Sequence, residues 1–122
     1  MTSSRRGLAI VAVLLLSSAA FAAEDSVTRF RLAANASNVT ACKALDPALA
    51  RPHTVSVRNG DVEITSAGGI EGRMTEVTLG VYREAFELSG IRLDVVADLS
   101  TPRRTLTVAD RELGCRWQAA PE

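Results

Sequence analysis

The run Thr54-Val55-Ser56-Val57-Arg58-Asn59-Gly60-Asp61-Val62-Glu63-Ile64-Thr65 leaves the chain little choice of local structure. Asn-Gly is the strongest short hairpin signal, because both central residues of a type I′ turn need positive φ. With that turn Val57 faces Val62 and Val55 faces Ile64 on one side of the ribbon, while Ser56 pairs with Glu63 and Arg58 with Asp61 on the other. Register, apolar face and charge pairing agree, so the segment is predicted to be a half-buried antiparallel hairpin.

The same pattern recurs at Ala85-Phe86-Glu87-Leu88-Ser89-Gly90-Ile91-Arg92-Leu93-Asp94. A turn at Ser89-Gly90 sets Leu88 against Ile91, Phe86 against Leu93 and Glu87 against Arg92. Upstream, Val77, Leu79 and Val81 have the opposite parity, so the alternation must be reset, at Gly80 or at a bulge near Arg83. Val95 to Leu99 and Thr105 to Val108 form a third hairpin around Ser100 to Arg104. Leu113 to Trp117 closes the chain. Val27 to Leu32 and Val39 to Lys43 read as two N-terminal strands with a turn at Asn35 to Asn38. Two prolines restrict Leu45 to Pro52 to a loop or a single helical turn. No window holds a helical apolar period for three turns. The expected fold class is therefore all-β, a small antiparallel barrel or sandwich of seven or eight short strands.

Residues 1–23 read as a cleavable export signal: Arg5 and Arg6, an uncharged apolar stretch, then Ala20-Phe21-Ala22 as a peptidase site. The strongly apolar part ends at Leu16, short of the roughly 20 residues that span a bilayer. No cysteine follows it directly, which argues against a lipid anchor, and no later apolar run suggests a transmembrane segment. Ser4 to Leu8 loosely fits a twin-arginine signal, so the export route is open. Residues 24–122 are expected to form one domain in the periplasm or outside the cell.

Cys42 and Cys115 are the two cysteines of the chain, so an oxidising compartment leaves one pairing. The reading places that disulfide between the first and last core strands. Trp117, two residues from Cys115, is expected to pack in the core against it.

The remaining chemistry is sparse. Without Arg5 and Arg6, 12 of the 14 cations remain against 14 acids, a net charge of −2, with no basic stripe for nucleic acid. His53, the sole histidine, is expected in an exposed loop, with no spacing that supplies it a nucleophile and an orienting acid. One histidine and two bridged cysteines are too few for a zinc site. The acids are scattered as on solvated strand faces, and Gly68-Gly69-Ile70-Glu71-Gly72 lacks the lysine and helix start of a phosphate loop. Neither cofactor nor metal is expected, and no catalysis. The loop bearing Gly68 and Gly69 is a natural place for partner contacts, as are Tyr82 and Arg83.

An export signal followed by a bridged, barrel-like domain is a layout similar to that of small periplasmic lysozyme inhibitors. Ser66-Ala67-Gly68-Gly69 resembles the start of the inhibitory loop such proteins carry, and the residues after it depart from that pattern. The resemblance is architectural and transfers no function. The expected role is a protein-binding module, such as an inhibitor or accessory subunit; the alternative is a small barrel around an apolar ligand.

Overall fold

The computed structural model describes residues 24–66 and 70–119. The predicted signal, Gly68 and Gly69 lie outside the described residues. The strands are β1 Ser26–Arg31, β2 Ala33–Ala34, β3 Pro52–Arg58, β4 Asp61–Ser66, β5 Glu71–Thr78, β6 Val81–Leu88, β7 Ile91–Asp98, β8 Thr105–Asp110 and β9 Arg116–Ala119. They form one antiparallel sheet of nine strands in the order β1-β3-β4-β5-β6-β7-β8-β9-β2. From β3 to β9 it is an uninterrupted meander. β1 and β2 stand at opposite edges of the sheet although Leu32 alone separates them in sequence. One bent N-terminal segment thus pairs with β3 through its first part and with β9 through its second, and the sheet curls into a nearly closed barrel.

Both strongest hairpins have the register their sequences require. Val57 pairs with Val62, Val55 with Ile64 and Arg58 with Asp61. Leu88 pairs with Ile91, Glu87 with Arg92 and Phe86 with Leu93. The turn residues Asn59, Gly60, Ser89 and Gly90 all have positive φ, as the type I′ geometry demands. Inward side chains form one core in which Phe30, Val55, Ile64, Leu93, Val95, Leu106, Val108 and Trp117 are buried.

Val39 to Lys43 is not a strand. Thr40–Ala44 is a 3-10 helix and Asp46–Leu49 a single α-helical turn, α1. Their physical logic is spacing: Cys42, Leu45 and Leu49 fall at helical intervals, and all three are buried in the core at one end of the barrel. A strand would have sent alternate residues outward. The disulfide consequently joins this helical segment, rather than a first strand, to the residue just before β9, with 5.8 Å between the Cα atoms of Cys42 and Cys115.

The reset of alternation also lies elsewhere than expected. The β5–β6 ladder shifts register between Glu76 and Thr78, and Gly80 serves the turn with φ +78°. Val77 and Leu79 are consequently left on the outside. No helix among the described residues is long and apolar enough to cross a membrane.

Candidate functional site

At the helical end of the barrel the polar contacts are structural. Trp117 is buried and its Nε1 donates to Oδ1 of Asp46 at 2.8 Å. His53, expected in an exposed loop, is instead fully buried on the inward face of β3, because Pro52 opens that strand and the alternation points His53 the same way as Val55 and Val57. Its Nε2 donates to the Leu49 carbonyl at 2.9 Å, while Nδ1 has no partner among the described residues. Desolvation lowers the His53 pKa more than the Leu49 carbonyl raises it, so the ring favours its neutral form. Ser66 and Ile70 clamp the ends of the loop that carries Gly68 and Gly69: Ser66 N–H donates to the Ile70 carbonyl at 2.8 Å, and Ile70 N–H to Ser66 Oγ at 3.1 Å.

The opposite end carries the β5–β6 hairpin. Its turn is braced on both sides. The Gly80 carbonyl accepts from Leu99 N–H at 2.8 Å, and Gly80 N–H donates to Oε2 of Glu76 at 3.3 Å. A Cβ at Gly80 would lie 2.8 Å from that of Ser100, so the two loops touch backbone to side chain. Ser100 is itself fixed by its N–H, which donates to Oδ1 of Asp98 at 3.0 Å. Tyr82 is buried on the inward face of β6 and hydrogen-bonds Glu76; burial and then the Glu76 charge raise its pKa. On this fixed frame two large apolar side chains face water: Leu79 is 75% exposed and Val77 54%. The break in parity at Val77, Leu79 and Val81 signals a reset in the sequence, but not that it falls between Glu76 and Thr78 and leaves the first two side chains outside.

The outer face of the same sheet carries an ion cluster. Asp94 pairs across the ladders with Ala85 on β6 and Ala109 on β8, so small side chains flank it. Its Oδ1 takes Nη2 of Arg83 at 3.0 Å and its Oδ2 takes Nε of Arg111 at 2.9 Å. The Arg83 hydrogen bond leads the effects that hold the Asp94 carboxyl below its usual range. Around this triad is an open pocket of about 290 Å³ lined by Arg83, Arg92, Asp94, Asp110, Arg111 and Glu112.

Of the expected contact residues, Arg83 therefore lies in a surface pocket, while its neighbour Tyr82 points to the opposite side of the sheet. The two do not form one patch. Arg92 and Arg111 join Arg83 through strand register that the second hairpin sequence already fixes in part. Among the described residues, no group of three or more His, Cys, Asp or Glu side chains is arranged to hold a metal ion. No protein-family model, no curated protein and no solved structure matches this chain.

Proposed function

We propose that this chain is an exported, non-catalytic protein-binding module that grips its partner with the β5–β6 hairpin. One observation carries the reading: Val77, at the end of β5, and Leu79, in the following turn, stand exposed on a hairpin whose turn backbone is already fixed by Glu76, Leu99 and Ser100. Burying an exposed Val or Leu fully is worth about 1.5–3 kcal/mol, and a turn that is rigid before binding loses little entropy in the complex. The disulfide is compatible with an oxidising, exported location.

The reading is tested by placing a photo-crosslinking amino acid at position 79 and, as a control, at position 27. Val27 is similarly exposed, at 71%, but lies on β1, separated from β5 in the sheet by β3 and β4. Illumination in the host envelope is expected to give a discrete protein adduct from position 79 and not from position 27. No adduct at 79, or the same adducts from both, would overturn the reading.

A further inference from the structure

We propose that the pocket between Arg83, Arg92 and Arg111 receives a carboxylate from an acidic, extended segment of the protein partner. This rests on the protein-binding reading above and names the chemistry of the segment bound. The acids in the pocket are largely committed within the chain. Asp94 has 17% of its side chain exposed and spends both oxygens on Arg83 and Arg111. Asp110 is buried and accepts the N–H groups of Glu112 and Leu113 at 3.1 and 2.9 Å. Glu112 at the pocket and Glu87, cross-strand from Arg92, are the remaining acids nearby.

The guanidiniums keep donors to spare. Arg111 bonds Asp94 through Nε with its side chain 77% exposed, so the guanidinium remains accessible to a ligand. Arg92 lines the same pocket and makes no ion pair among the described residues. Asp94 fixes Arg83 and Arg111 in place, which removes part of the ordering cost of binding. Planar guanidiniums with free N–H pairs favour a carboxylate through bidentate hydrogen bonds.

The surroundings select a peptide over a free anion. Val96 pairs with Arg83, and Val81 stands two residues along β6 toward the rim, where Leu79 and Val77 are exposed. At about 3.3 Å per residue Val81 is roughly 7 Å from Arg83 along β6, and Leu79, in the turn just beyond the Thr78–Val81 pair, is roughly 10 Å from Arg83 along the strand direction. An extended partner segment with an acid and a large apolar residue about three to four positions apart spans that distance.

The test is NMR of the arginine Nε–H resonances during titration with the acetylated, amidated peptide Glu-Ser-Thr-Ser-Leu, its Gln-Ser-Thr-Ser-Leu counterpart, and inorganic phosphate. Saturable shifts at Arg83, Arg92 and Arg111 are expected with the Glu peptide, with binding about tenfold weaker for the Gln peptide. Arg92→Gln and Arg111→Gln, both at exposed positions, should each weaken the Glu peptide several-fold. Absent shifts, equal response to both peptides, or phosphate binding as tightly as the Glu peptide would overturn the proposal. The crosslink from position 79 separates the two readings. An undiminished adduct in the Arg92→Gln, Arg111→Gln double variant overturns the acidic-segment inference alone; a diminished one supports it.

Discussion

The indole of Trp117 on β9 and the carboxylate of Asp46 at the start of α1 share a 2.8 Å hydrogen bond across 71 residues of sequence. It fastens the helical segment to the last strand alongside the disulfide. Asp46→Ala removes the acceptor and leaves a buried indole N–H unsatisfied, at a cost of about 1–3 kcal/mol. Urea unfolding should show that loss. In a Trp117→Phe background, where the donor is gone, the same substitution should cost less, and equal costs in both backgrounds would assign the effect elsewhere.

The Cys42–Cys115 bridge joins positions 73 apart in sequence. Loop-closure entropy gives it about 4 kcal/mol, a large share of the typical stability of a small domain. Cys42→Ser or Cys115→Ser should lower Tm by several degrees or more. An unchanged melting curve would show that the bridge contributes nothing.

Stability should fall on mild acidification because of His53. Its folded pKa is below the ordinary value of 6.5, so the unfolded chain binds the proton more readily. The contribution is complete above pH 6.5 and is lost as pH falls toward the folded pKa. His53 is the sole histidine. His53→Gln should therefore flatten the dependence of unfolding free energy on pH between about 7 and 5, whatever its effect on absolute stability. A slope that persists in the variant would place the titrating group elsewhere.

Two glycines with nearly equal φ should respond differently to alanine. Gly60 has φ +82° and open space around it, whereas Gly80 has φ +78° and Ser100 in the way. Gly60→Ala should cost about 1 kcal/mol through backbone strain. Gly80→Ala should cost more, because the β7–β8 loop must also move. Thermal unfolding of the two variants orders them, and equal losses would mean that the loop yields freely.

Leu79→Ser should separate folding from recognition. At an exposed position its effect on stability should stay within about 0.5 kcal/mol, while protein partner capture in the envelope falls sharply. A Leu79→Ser variant that unfolds early would instead assign the side chain to the fold.

The hairpins are legible in the sequence because local turn chemistry and period-two alternation specify them together. Val57 opposite Val62 and Phe86 opposite Leu93 need no information from distant residues. Val39 to Lys43 misleads because its apolar residues suit a strand locally, and only the barrel end waiting for Cys42, Leu45 and Leu49 selects the helical form. His53 misleads because Pro52 resembles a loop signal as much as a strand start. The contact surface is the least legible part. A bulge between Glu76 and Thr78 decides which way Val77 and Leu79 face, and the pocket needs β6, β7 and β8 side by side before three arginines separated in sequence become neighbours.

The placement of β1 and β2 on either side of Leu32 has a consequence for biogenesis. The seam of the barrel joins the first described strands to β3 and to β9, so the N-terminal segment has no second partner until the C-terminal strand has arrived. Pairings that span most of the chain form slowly, because the entropy of bringing distant segments together precedes any reward. The meander from β3 to β8 can assemble as the polypeptide emerges, but sealing the ring is a task for the finished chain. A truncation that removes β9 should therefore leave an open, sticky-edged sheet, at risk of pairing with other molecules through its exposed margins.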